Sequence, residues 1–146
     1  MTHLILTKAQ QDVLLAWAAP RVQLEGKWPP ESEALAAVEA DTGKIQAVMV
    51  VNGFMEDSAM IHFATDGRRA WANRKIVSGF FAYLFLYKRL PRVIGFTPAD
   101  NVSMLKMLLQ LGFFVEGRVR KSSDGRQQSI MTSMFADECR WLEPQE

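Results

Sequence analysis

The sequence predicts a mixed α/β fold, a partly antiparallel and partly parallel sheet with helices on its faces. Three patterns carry that expectation. Three strand-like segments follow one another with turn signals between them. A long helical segment then separates two further strand segments. A short helix, a glycine stop and a closing hairpin complete the order.

Thr7-Lys8-Ala9-Gln10 has the form of a helix start, with Thr7 as N-cap and Gln10 placed to reach back to it. Leu14, Leu15, Trp17 and Ala18 supply an apolar face, and Pro20 is expected to end the helix. Lys27-Trp28-Pro29-Pro30 reads as a loop, because its prolines lack ladder donors. Leu35–Ala40 is the first meander strand, followed by the turn signal Asp41-Thr42-Gly43. Lys44–Val51 is apolar on both alternating faces, which predicts a strand covered on both sides. Asn52-Gly53 and Glu56-Asp57 turn the chain into a third strand, Ser58–Thr65.

Trp71–Arg89 is the longest helical segment. Val77, Phe80, Phe81 and Leu84 recur at i, i+3, i+4 and i+7, so their aromatics read as core. Lys88 and Arg89 suit the negative end of the helix dipole, and Pro91 stops the run. Arg92–Phe96 follows as a short strand. A strand, a crossover helix and a strand predict a parallel pair. Ser103–Leu111 is a second amphipathic helix, with Gly112 as its left-handed stop. Phe114–Lys121 and Gln128–Phe135 form the last hairpin around Ser122-Ser123-Asp124-Gly125, and Asp137–Leu142 is expected to close with a helical turn.

The 146 residues favour a single domain over residues 1–146, long enough to build a core without metal or disulfide staples. Lysine and arginine number 17 against 16 for aspartate and glutamate, so the balance gives no argument for nucleic acid. The cations do cluster locally, at Arg68, Arg69, Arg74 and Lys75, which leaves an anion site open. Cys139 is the only cysteine, so no internal disulfide forms, in keeping with a reducing cytoplasm. The longest apolar run, Phe80–Tyr87, falls far short of the roughly 20 residues that span a bilayer, so no membrane role is expected. His3 and His62 are the only histidines, which argues against a histidine-rich metal site. No serine-hydrolase elbow, zinc-protease helix, Walker loop or Cys/His metal spacing is present.

The most distinctive stretch runs from Phe96-Thr97-Pro98-Ala99-Asp100-Asn101 through the helix to Gly112-Phe113-Phe114-Val115-Glu116-Gly117. It resembles the C-terminal half of GNAT-superfamily acyltransferases. In particular it resembles the branch that includes the ribosomal-protein N-terminal acetyltransferases. Asn101, Gly112, Phe113, Glu116, Gly117 and Arg120 match that branch, while Met104 and Gln110 stand where serine and lysine are frequent. The likeness covers residues 34–142, and the region before it is abbreviated relative to a full GNAT domain.

The resemblance implies a three-layer GNAT-like fold, acetyl-CoA as donor and an amine as acceptor. In such folds two parallel strands splay apart and hold the thioester by backbone groups. His62, Phe63, Ala64 and Thr65 fall at that position, with one N–H serving as oxyanion donor. Asn101 would bond the cofactor or orient the helix behind it. The pyrophosphate loop corresponds to Arg68-Arg69-Ala70-Trp71-Ala72-Asn73, followed by Arg74. Arg68 matches its first position, whereas Trp71 and Asn73 replace glycines that let backbone approach phosphate. The tyrosine that many members use as general acid is missing from the helix after Asn101. His62 is the one titratable residue on its strand, and its ordinary pKa of about 6.5 suits a base.

Plainer readings stand beside these. His62 is either a base or a strand histidine satisfied by a neighbour. Asn101 is a site residue, a helix cap or both. Trp71 is a loop plug or a ligand wall. The arginines are a phosphate clamp or a solvated helix start. Glu116 faces Arg118, Arg120 or solvent. A second functional reading is a catalytically inactive GNAT-like binding or structural protein. The tryptophan-bearing loop and the ending Glu138–Leu142 resemble short diverged GNAT-like proteins of tailed bacteriophages, including an internal virion protein. Trp28, Met134 and Trp141 are the residues expected at any protein-partner or homodimer interface.

Overall fold

The structure is a computed structural model that describes residues 3–24, 26–120 and 128–142. In chain order it contains β1 (Leu4–Thr7), α1 (Gln11–Arg21), β2 (Glu33–Glu39), β3 (Ile45–Asn52), β4 (Ala59–Thr65) and α2 (Arg74–Ala82). A π-helical turn, Tyr83–Tyr87, extends α2. Then come β5 (Arg92–Pro98), α3 (Val102–Leu111), β6 (Phe114–Val119), β7 (Ser129–Phe135) and a 3-10 turn, Ala136–Glu138. The expected hairpin tip, residues 122–125, lies outside the described residues.

Among the described residues the strands form one sheet in the order β1-β2-β3-β4-β5-β7-β6. Every neighbouring pair is antiparallel except β4 with β5. Helix α1 covers β2, β3 and β4 on one face, where Leu14 and Ala18 meet Ala36, Val48, Val50 and Ala64. Helices α2 and α3 cover the other, where Phe80, Phe81, Leu84, Leu108 and Leu111 pack on Met49, Ile61 and Val93. Strand β3 is buried along nearly its whole length, as its doubly apolar pattern predicts.

The parallel pair is the feature that positions the site. β4 and β5 are in register only at Ala59 with Val93 and at Met60 with Ile94. Beyond that point each strand stays fully paired on its other side, β4 to β3 and β5 to β7. The sheet therefore opens between them, and the separation forfeits only their shared ladder.

Several expectations need correction. Thr7 is not a helix cap; it ends β1, which pairs antiparallel with β2, and its Oγ1 accepts from the Ala9 N–H at 3.1 Å. Helix α1 starts instead after Gln10, which takes a left-handed φ of 57° without a side-chain cap. It runs one residue past Pro20. The long helix begins at Arg74 rather than Trp71, because Asn73 caps it: its Oδ1 accepts from the Ile76 N–H at 3.0 Å. A β-bulge re-aims Glu116 toward Ser133 and Arg92 instead of Arg118 or Arg120. Met134 is fully buried in the core and presents nothing to a partner. No helix among the described residues is long and apolar enough to cross a membrane.

Candidate active site

The gap between β4 and β5 opens into a cavity of about 370 Å³. Ile61, His62 and Phe63 line it from β4, and Gly95, Phe96, Thr97 and Pro98 from β5. Asp100 and Asn101 just before α3, Met104 and Leu108 on it, and Arg21, Val22 and Gln23 at the end of α1 complete its wall. A second cavity of about 450 Å³ shares Arg21, Phe63, Asn101 and Met104 with the first. It continues past Thr65, Gly67, Arg68, Arg69, Trp71, Met107, Gln110 and Trp141 toward the N-terminal end of α2. The two spaces share these four walls, and the second adds the cations Arg68 and Arg69.

His62 sits in the first cavity. One ring nitrogen, Nε2, is 3.1 Å from Asn52 Oδ1, and Asn52 Nδ2 donates to Ser32 Oγ at 3.1 Å. An amide that donates to the serine turns its oxygen toward the ring. Nε2 then carries the proton of the neutral imidazole, and Nδ1 keeps the free lone pair. The Trp28 ring meets the imidazole edge-on, with centroids 5.3 Å apart. Burial pushes the His62 pKa below its ordinary value. The ring is therefore a neutral acceptor near pH 7.

The loop between β4 and α2 shapes the second cavity. Gly67 holds a φ of 92°, which side-chain-bearing residues rarely adopt. Its N–H donates to Thr65 Oγ1 at 3.2 Å, which folds the loop back on the strand. Arg68 is paired inside the protein: Nη1 lies 3.1 Å from Glu39 Oε2 and Nη2 lies 2.6 Å from Asp66 Oδ2. Arg69 and Arg74 have no ion pair among the described residues, and Arg74 lies over the Trp141 ring at 5.9 Å. Trp71 is a buried wall, only 3% exposed, and stacks on Phe63.

Asn101 is both cap and wall. Its Oδ1 accepts from the Met104 N–H and the Ser103 hydroxyl, each at 3.3 Å, while the residue lines both cavities. Phe63, Thr65, Arg68, Arg69, Trp71 and Asn101 are thus brought together with His62 along one cleft. Ala64 is buried on the α1 side, and Asn73 and Arg74 line neither cavity. Sequence reasoning missed Arg21, Gly67, Gly95 and Trp141. Asp66-Gly67 was a readable turn signal. Arg21, Gly95 and Trp141 had none, since only tertiary packing brings them to the cleft. Both tyrosines, Tyr83 and Tyr87, lie on the π turn and line neither cavity.

No family model matches the chain, and no curated protein matches it in sequence. Solved structures do match in shape. A GNAT-family acetyltransferase from Bacillus anthracis superposes with a TM-score of 0.69 at 11% identity, over 94% of this chain and 98% of that one. A mutant spermidine N-acetyltransferase from Vibrio cholerae gives 0.72 at 12% identity, over 92% and 94%. A ribosomal-protein-S5-alanine acetyltransferase from Vibrio fischeri gives 0.67 at 18% identity, over 97% and 94%. These structural matches lend no support to a phage origin.

Proposed function

We propose that this chain, which has the fold of the GNAT-family acetyltransferases, moves an acetyl group from acetyl-CoA to an amine by direct attack. The observation that carries this reading is the short parallel ladder. It ends at Met60 and Ile94, and the cavity begins where it ends. A slender pantetheine arm fits such an opening. Backbone groups of residues 61–65 that no longer pair with β5 would hold it, and one N–H there would polarise the thioester carbonyl. A preorganised donor of this kind contributes about 2.7–4 kcal/mol.

The amine nitrogen attacks the carbonyl carbon, a C–N bond forms and the C–S bond breaks. The amine proton passes to Nδ1 of His62, and the sulfur departs as thiolate. No tyrosine lines either cavity, so the thiolate takes its proton from water. Alignment of the two reactants supplies much of the rate, since it alone is worth about 7–11 kcal/mol in favourable cases. The pyrophosphate lies toward Arg68 and Arg69, with Arg69 the principal cation because Arg68 is already matched by two carboxylates.

A second reading is a catalytically inactive GNAT-like binding or structural module. One observation favours it: the phosphate loop is satisfied from within, by Asn73 on the α2 terminus and by Asp66 and Glu39 on Arg68. Thermal unfolding with acetyl-CoA separates the two. At 100 times its Kd the ligand adds about 2.7 kcal/mol of stability, which raises Tm by roughly 5–10 °C for a domain of this size. No shift at millimolar acetyl-CoA overturns the transferase reading.

A further inference from the structure

We infer that Asn52 is a positioning residue for His62: it fixes the ring tautomer that leaves Nδ1 free to accept the amine proton. This deepens the transferase reading above and rests on it for its chemical consequence. Asn52 ends β3, is only 4% exposed and lines neither cavity. Strand register puts Val50 opposite His62 and Asn52 opposite Met60, so Asn52 is the diagonal neighbour of His62 on one face of the sheet. Its Oδ1 lies 3.1 Å from His62 Nε2. Nδ1 has no partner among the described residues, and it is not one of the polar atoms that burial seals from solvent. The imidazole thus offers one nitrogen to a buried amide and the other to solvent, from a residue that lines the first cavity.

The sense of the amide decides where the proton sits, and Ser32 sets that sense. Its Oγ accepts from Asn52 Nδ2 at 3.1 Å, which turns Oδ1 toward the ring. Ser32 directly precedes β2, and Glu33 of β2 pairs with Val51 of β3, so strand pairing holds serine and amide together. The Gly53 N–H also donates to Glu31 Oε1 at 3.3 Å. From the same segment, Trp28 Nε1 donates to the Leu15 carbonyl at 2.8 Å and its indole meets the imidazole edge-on. With Oδ1 facing it, Nε2 carries the proton. As the amine N–H bond breaks, the proton joins the Nδ1 lone pair, and the imidazolium keeps its Nε2–H bond to Asn52. A reversed amide would place the ring proton on Nδ1 and leave no lone pair there for the amine. Arg21 and Asp100, the charged groups lining the same cavity, make no hydrogen bond or ion pair with the ring among the described residues.

Nitrogen-15 NMR of the imidazole reads the tautomer in the ligand-free protein. Above neutral pH the parent should show a protonated Nε2 and a bare Nδ1. Asn52→Leu removes the acceptor and Ser32→Ala frees the amide to turn. Both should move the proton to Nδ1 in most molecules, whereas Ser32→Thr should restore the parent pattern. Asn52→Asp should keep the parent tautomer and raise the ring pKa by about one unit or more, because a carboxylate then faces Nε2. Melting curves confirm that the variants fold, and the Asn52→Asp titration decides should the other two not fold. A parent with its proton on Nδ1, a parent tautomer that survives both Asn52→Leu and Ser32→Ala, or an unmoved pKa in Asn52→Asp overturns the inference while the transferase reading stands. Acetyl-CoA, titrated by calorimetry, should bind the parent and its variants alike, since Asn52 and Ser32 line neither cavity. Failure of acetyl-CoA to bind the parent overturns the transferase reading, and the proton-transfer role falls with it even where the tautomer behaves as expected.

Discussion

The indole of Trp71 stacks on the ring of Phe63, with centroids 6.0 Å apart and planes 24° from parallel. Phe63 belongs to the splayed strand and Trp71 to the loop before α2, so this contact fixes one end of the cleft to the other. Phe80 meets both rings edge-on, at 5.6 Å and 6.5 Å. Trp71 thus serves the core, at a position where the resemblance to GNAT acyltransferases leads one to expect glycine. Trp71→Ala should cost about 3–5 kcal/mol, as large buried aromatics do. Trp71→Phe should cost a smaller part of that, because the stack survives. Urea denaturation of both variants checks the ranking.

His62 gives a pH signature. Burial depresses its pKa in the fold, while in the unfolded chain it titrates near 6.5. As pH falls below about 6.5 the unfolded state takes up a proton that the folded state refuses, so stability is complete above that pH and declines below it. The decline approaches about 1.4 kcal/mol per pH unit until the folded ring itself protonates. His62→Gln keeps an amide partner for Asn52 and should flatten this stretch of the stability profile. The same variant should lower kcat by about 10²-fold if Nδ1 takes the amine proton, with KM for acetyl-CoA unchanged.

Much of this architecture was legible because periodicity is a local property. Phe80, Phe81 and Leu84 lie on one helix face, and the doubly apolar β3 announced its burial. Strand β1 escaped because four residues are too few to display alternation, and Thr7 beside Gln10 imitates a capping box. In the fold, pairing of Leu4–Thr7 with β2 outweighs that local preference. The site was half legible. His62, Phe63, Thr65 and the loop arginines follow one another in sequence and line one cleft. Arg21 comes from the end of α1 and Trp141 from near the C-terminus, so neither could be assigned before the packing of α1 and α3 was known. The pairing of Arg68 with Glu39 is likewise a product of strand order.

Arg68 and Arg69 should differ in their effect on ligand binding despite their adjacency. The Arg68 guanidinium spends its charge on Asp66 and Glu39, and these contacts hold it above its ordinary pKa. A phosphate must compete with two carboxylates for it. Arg69 is exposed, lines the second cavity and has no such partner among the described residues. Arg69→Ala should therefore weaken acetyl-CoA binding several-fold more than Arg68→Ala. Calorimetric titrations at low and high salt check this, with the Arg69 contribution fading as ionic strength rises.

Asn101 separates structural from functional use of a single side chain. Its Oδ1 is committed to the first turn of α3, whereas its Nδ2 donates to nothing among the described residues and borders both cavities. Asn101→Ala removes cap and donor together and should cost about 1 kcal/mol of stability. Asn101→Ser restores a capping oxygen without the amide donor, so its Tm should return to near that of the parent. If Nδ2 bonds a carbonyl of the pantetheine arm, both variants should bind acetyl-CoA more weakly by a similar factor, about five- to tenfold for a hydrogen bond worth about 1 kcal/mol. Parent-like affinity in Asn101→Ser would leave the residue as a cap alone and place the cofactor's polar contacts on the β4 backbone.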